Sequence, residues 1–240
     1  MYQLSEERLE HLKGLENKIM YCFNEKSVLN TAFMHSSYVN EQKDTKIQSN
    51  ERLEFLGDSV LSLVISDYLF NKFHDLPEGE LTKLRAIIVC EASLASVSRR
   101  INLGEYLLLG KGEEFTGGRE RTSILADLFE ALLAAIYSDG GFQNAKEFAL
   151  ANLTYVINDA LEGKLFWDYK THLQEELQKN SIAEIGYKVV SSKGPDHNKT
   201  FVVEVSNLGK LLGVGQGKSK KDAEQEAAKN ALVELDNKNE

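Results

Sequence analysis

Ile124-Leu-Ala-Asp-Leu-Phe-Glu-Ala-Leu-Leu-Ala-Ala-Ile-Tyr137 contains no lysine, arginine, glycine or proline, and its apolar residues fall on nearly every side of a 3.6-residue helix. A helix apolar all round belongs in a core. Two carboxylates nevertheless sit in it, Asp127 and Glu130, three residues apart and therefore on one face. An ionised carboxylate buried without compensation is strongly unfavourable, so something cationic has to meet this pair.

A second acidic pair lies in Asn50-Glu-Arg-Leu-Glu-Phe-Leu-Gly-Asp-Ser-Val-Leu61. Glu54 and Asp58, four apart, stack on one helix face, with Glu51 one turn earlier. That face continues as Leu61 and Ile65, which predicts that it points inward. Gly57 is out of place in a helix interior, where it costs about 1 kcal/mol relative to alanine; close approach by another helix or a ligand accounts for it. Two helices with inward acidic pairs predict one site of four carboxylates, Glu54, Asp58, Asp127 and Glu130. Hard oxygen ligands of this kind select Mg²⁺ or Mn²⁺. Such ions promote deprotonation of a water and stabilise charge on an attacked phosphodiester and its leaving oxygen. The competing expectation is ordinary ion pairing with Arg52, Arg85, Arg119 or Arg121. One isolated pair would favour that, whereas two pairs inside apolar helices favour metal.

Around these helices the chain as far as about residue 155 keeps apolar spacings of three and four, as in Leu53, Leu56, Val60, Leu63 and Val64. Polar or glycine-bearing stretches interrupt it at Gln42–Ser49, Leu76–Gly79 and Gly110–Gly118. This region is expected to be all-α. Beyond Trp167 the pattern changes. Asp168–Lys179 reads as a short helix; Tyr187–Ser191, Thr200–Ser206 and Leu211–Gly215 read as valine-rich strands of a meander. Ser219–Leu235 returns to helical spacing, with Ser219 as N-cap and Asp222 as the capping-box acid. The expected organisation is an all-α domain over residues 1–160, a short join over 161–167, and a small α+β domain of order α-β-β-β-α over 168–238.

The composition, 42% hydrophobic and 27% charged in 240 residues, is that of a globular protein. Cys22 and Cys90 form no CxxC pair, which argues against a disulfide framework or zinc cage. The N-terminal stretch lacks the apolar core of a signal peptide, and the longest apolar runs fall short of the roughly 18 residues of a membrane span. A cytoplasmic protein without membrane contact is expected. The net charge of −9 argues at first against nucleic acid. Of the 28 basic and 37 acidic residues, however, 17 and 25 lie in residues 1–164, against 11 and 12 in residues 165–240. The excess acid sits in the part that carries the two acidic pairs.

Asn50–Leu61 resembles the signature of the ribonuclease III family. Thr31-Ala-Phe-Met-His-Ser-Ser-Tyr38 is similar to that family's early helical motif, Glu78-Gly-Glu-Leu-Thr-Lys-Leu-Arg-Ala86 to the segment supplying a further acid, and Gly118-Arg-Glu-Arg-Thr-Ser-Ile-Leu-Ala-Asp127 to the approach to the second pair. The resemblance implies an all-helical, homodimeric endonuclease domain that hydrolyses both strands of double-stranded RNA with Mg²⁺, Mn²⁺ substituting. It implies 5′-phosphates and short 3′ overhangs, and a role in processing ribosomal RNA precursors and other structured transcripts. By the same resemblance Glu54, Asp58, Asp127 and Glu130 bind metal, Asp58 and Glu130 matter most for catalysis, Glu51 and Glu78 are supporting acids, and Phe55 seats in the partner subunit. Departures at Leu128, Leu133, Ala134 and Ser138 are at packing positions.

Lys218-Ser-Lys-Lys221 sits at the start of the last helix, where cations oppose the helix dipole. Such a cluster makes an anion site in which lysines and free backbone N–H groups face a phosphate. With Gly194-Pro-Asp-His197 after the first strand, this region resembles the double-stranded RNA-binding domain. The resemblance implies that Lys218, Lys220 and Lys221 straddle major-groove phosphates, that His197 reaches a minor groove, and that Thr171, Gln174 and Glu175 touch the next one. Contacts of this kind read A-form shape rather than sequence.

Gly110–Gly118 lacks the Gly-Lys-Ser/Thr ending of a P-loop, so no nucleotide cofactor is expected and the stretch reads as a connecting loop. His74-Asp75 has no partner histidine at ligand spacing, which disfavours a small-molecule phosphohydrolase. His35 and Ser36 are adjacent, a poor geometry for a base and its nucleophile. The alternative from another class is a non-catalytic double-stranded RNA-binding protein, which would gain nothing from unpaired buried acids.

Overall fold

The computed structural model describes residues 4–42, 47–162, 169–180, 184–193 and 199–239. The chain divides into two compact units, Met1–Leu165 and Phe166–Glu240. Described elements of the first are all helical: α1 (Glu6–Ile19), α2 (Lys26–Ala32), α3 (Ser36–Glu41), α4 (Glu51–Lys72), α5 (Glu78–Ile88), α6 (Glu91–Arg100), α7 (Lys111–Phe115) and α8 (Thr122–Leu161), with two 3₁₀ turns before and after α7. Gly110–Gly118 is thus not simply a loop, because it contains α7. Cys22 and Cys90 are free thiols. Among the described residues no helix is long and apolar enough to cross a membrane.

α8 is the hub of this unit. Leu125, Leu128, Phe129, Leu132, Leu133 and Ile136 are all buried, as the all-round apolar pattern requires. The helix runs past Tyr137 and is broken at Gly141, whose φ of 79° suits glycine. Asp139, just before the break, accepts the backbone N–H groups of Asn24 (3.0 Å) and Glu25 (2.9 Å) and the Tyr21 hydroxyl (2.8 Å), tying the start of α2 to α8.

α4 packs along α8 through buried Val60, Leu61, Val64, Ile65 and Leu69. Gly57 explains itself here: a Cβ on it would lie 2.0 Å from the Glu130 carbonyl oxygen. The two backbones touch, and no side chain fits between them. Leu63 departs from the expected apolar stripe and is 56% exposed, on a side of α4 that also carries exposed Phe55 and Phe70.

The second unit holds α9 (Tyr169–Asn180), an antiparallel sheet of order β1-β2-β3 (Ile185–Lys193, Thr200–Asn207, Lys210–Gly217) and α10 (Lys220–Asn239). Leu173, Val203, Val205, Ala223, Ala227, Ala228, Ala231 and Leu232 form its core. Gly213, Gly215 and Gly217 alternate along β3 on the side facing α10; a Cβ on any of them would collide with that helix's backbone at Ala231, Ala227 or Ala223. The expected capping box is present: Ser219 Oγ accepts the Asp222 N–H (3.1 Å) and Asp222 Oδ2 accepts the Ser219 N–H (3.2 Å).

Gly57→Ala sets helix propensity, which favours alanine, against overpacking, which costs about 1–3 kcal/mol. Backbone atoms at 2.0 Å cannot yield as a side-chain end does, so overpacking wins. The substitution should lower the thermal midpoint of the protein; an unchanged or raised midpoint would show that α4 and α8 are not in contact there.

Candidate active site

The Gly57 contact brings Glu54 of α4 beside Asp127 and Glu130 of α8. One carboxylate oxygen from each of the three lies within 4.8 Å of the others, and all three side chains are half-buried. Asp58, one turn further along α4, is exposed, which corrects the expectation that it faces inward. It stands at the rim, close enough to act electrostatically on Glu130.

Burial and mutual repulsion make this cluster unfavourable to negative charge. Burial pushes the Glu130 carboxyl up to about 8, with Asp58, Asp127 and Glu54 adding repulsion. Glu54 is raised by burial and then by Asp127 and Glu51. Asp127 is raised by burial and by Glu91, while His35 opposes the shift.

Among the described residues no lysine or arginine forms an ion pair with Glu54, Asp58, Asp127 or Glu130. Three of the four candidate arginines are engaged elsewhere. Arg119 pairs with Glu114 and donates to the carbonyls of Gly104, Glu105 and Leu107. Arg121 pairs with Glu113 at 2.5 Å, and Arg85 donates to Ser66 Oγ (2.9 Å). Arg52 is exposed in the first turn of α4.

Glu51 is exposed, accepts the Ser49 hydroxyl (3.1 Å), and reaches the cluster only through its field on Glu54. Glu78 opens α5, exposed, with its carboxylate accepting the Thr82 hydroxyl (2.9 Å); no hydrogen bond or ion pair among the described residues links it to the cluster. Phe55 is 80% exposed. Two residues near the cluster escaped the sequence reading of the site, Glu91 at the start of α6 and His35 at the N-cap of α3. Only the cap position of His35 before two serines left a trace in the sequence.

In the second unit Lys218, Lys220 and Lys221 are exposed around the N-terminus of α10, and Gln174 is exposed on α9. Thr171 and Glu175 also lie on α9, but their side chains, and His197 altogether, fall outside the described residues.

Two family profiles match the chain: Ribonuclease-III-like over residues 25–157, and Double-stranded RNA binding motif over residues 169–235. Ribonuclease 3 of Caldanaerobacter subterraneus subsp. tengcongensis is 54% identical over 224 residues, 93% of this chain and 98% of that one. Ribonuclease 3 of Clostridium tetani is 50% identical over 94% of this chain and 95% of its own. Among solved structures, a nuclease domain of ribonuclease III from Campylobacter jejuni, described for flexibility in a region involved in dimer formation, aligns with a TM-score of 0.55 and 44% identity over 59% of this chain and 94% of that one. With one profile spanning more than half of its length and close relatives covering nearly all of it, the chain belongs to the ribonuclease III family of endoribonucleases and carries a double-stranded RNA-binding unit behind its nuclease unit.

Proposed function

We propose that the protein hydrolyses phosphodiester bonds in both strands of double-stranded RNA, with Glu54, Asp127 and Glu130 holding Mg²⁺ or Mn²⁺ and Asp58 completing the acidic set from the rim. The observation that carries this reading is the cluster itself: three half-buried carboxylates within 4.8 Å of one another, with no lysine or arginine among the described residues paired to them. A hard divalent ion fits that donor set. What such an ion supplies is easier deprotonation of a water and stabilisation of the charge that builds on the attacked phosphate. The protein's part is to hold the acids at fixed spacing and keep the pocket half-shielded from solvent. Asp58 and Glu130 are the acids assigned to catalysis; Glu51 and Glu78 are read as supporting acids.

The domains proposed are residues 1–160 for cleavage and 168–238 for RNA binding. Lys218, Lys220 and Lys221 take phosphates, and Thr171, Gln174, Glu175 and His197 take minor grooves, so that the duplex is recognised by shape. One cluster cuts one strand, and a two-fold homodimer supplies the second. The exposed side of α4, with Phe55 at 80%, Leu63 at 56% and Phe70 at 69%, supports a protein partner there. Duplex stretches of ribosomal RNA precursors and other structured transcripts are the substrates this chemistry suits, with 5′-phosphate ends and short 3′ overhangs as products. A non-catalytic RNA binder is disfavoured, because the acids burden the fold and a binder has no use for them.

Glu130→Gln should slow Mg²⁺-dependent cleavage of a long RNA duplex by roughly a thousandfold or more while leaving gel-shift affinity intact; unchanged turnover would remove Glu130 from the site. The metal-free fold should also respond to pH. Between its ordinary value and about 8, folded Glu130 holds a proton that the unfolded chain has lost, so stability falls as pH rises through that window. Because ligation requires ionised carboxylates, the rise in thermal midpoint on adding Mg²⁺ should grow from pH 6 to 8, and flatten in Glu130→Gln. A pH-independent rise in the native protein would contradict this. Replacing Lys218, Lys220 and Lys221 by alanine should reduce the slope of log affinity against log salt by up to about 3; identical affinity at every salt concentration would show that these lysines meet no phosphate.

A further inference from the structure

His35 is held with unusual definition for a half-buried side chain beside the acid cluster. Its Nδ1 receives the Ser37 N–H (3.2 Å) and lies 2.7 Å from Ser37 Oγ. Ser37 Oγ in turn accepts the Gly110 N–H (2.9 Å), which leaves the serine's own proton for the imidazole. Two donors converge on Nδ1, so the neutral ring carries its proton on Nε2. Nε2 has no hydrogen-bond partner among the described residues. The support beneath the ring is rigid. His35 N–H donates to the Leu108 carbonyl (3.1 Å), Asn50 N–H donates to the Met34 carbonyl (2.8 Å), and a Cβ on Gly110 would lie 2.6 Å from the Ser37 carbonyl oxygen. The Asn50 bond fastens this turn to the start of α4, one turn before Glu54, and His35 lies within electrostatic reach of Asp127.

A fixed, unused N–H beside clustered carboxylates calls for an acceptor that the protein does not itself provide. We infer that His35 donates its Nε2–H to a non-bridging phosphate oxygen of the RNA strand bound at the acid cluster and so positions that phosphate for attack, an inference that rests on the nuclease reading above. A hydrogen bond to an anion from a preset donor is among the stronger neutral-side-chain contacts available.

Two substitutions separate this role from capping. In His35→Asn the side-chain oxygen still caps α3 by accepting the Ser37 N–H, but nothing reaches the place of Nε2. In His35→Gln the amide nitrogen reaches it and the cap is weakened. His35→Asn should keep the native thermal midpoint, Mn²⁺ affinity by electron paramagnetic resonance and duplex affinity in Ca²⁺, while its single-turnover cleavage slows roughly 10- to 100-fold. His35→Gln should recover part of that rate. Sulfur accepts hydrogen bonds poorly, so a phosphorothioate at the contacted oxygen should slow the native enzyme more than His35→Asn. The inference is overturned if Asn behaves as the native residue and Gln does not, if the sulfur effect is the same in both proteins, or if Mn²⁺ affinity falls with the rate, which would place His35 behind Asp127 instead. Native protein that cleaves no duplex would sink the nuclease reading itself, a separate result from any of these.

Discussion

Contact between the backbones of α4 and α8 at Gly57 sets the distance between the two helices that carry the acids. Everything proposed for the site depends on that separation. A side chain there would wedge the helices apart, and Glu54 would no longer cluster with Asp127 and Glu130. The apolar residues around the contact then keep the pocket half-shielded, so the repulsion among the acids is not dissipated by water. The helix-propensity penalty of one glycine and the electrostatic strain of four carboxylates are therefore parts of one arrangement: the first makes the second possible.

Much of this arrangement was legible in the sequence because the signals conflict with their surroundings. Carboxylates within an all-apolar helix, and a glycine inside a helical period, are local anomalies with few physical explanations. Asp58 was misjudged for an equally physical reason. Periodicity tells which residues share a helix face, but not how evenly that face is covered: Asp58 is exposed although Leu61 and Ile65, further along the same face, are buried. Leu63 shows the same blindness in reverse, since an apolar residue at core spacing stands exposed when nothing among the described residues covers it.

His35 was visible and passed over, because it was tested only as a base for the adjacent Ser36. What distinguishes it is a proton arrangement completed by Gly110, 73 residues beyond Ser37, and no local pattern carries that information. In the second unit, strands and cap were readable from composition and spacing. The alternation Gly213, Gly215, Gly217 was not read for what it does, since small residues on a strand acquire meaning only once a helix backbone is known to lie against them.

That alternation works as a vernier. Two residues of strand advance about 6.7 Å and four residues of helix about 6 Å, so successive glycines meet Ala231, Ala227 and Ala223 almost in step. The helix can neither slide nor rotate without driving a side chain into the strand. Lys218, Lys220 and Lys221 stand at the end of this scale, so their height above the sheet is set by the spacing of three glycines rather than by the lysines themselves. A single-residue insertion in β3 or early in α10 would shift the teeth out of step and move the basic cluster, leaving its charge untouched and its reach along a nucleic-acid groove wrong.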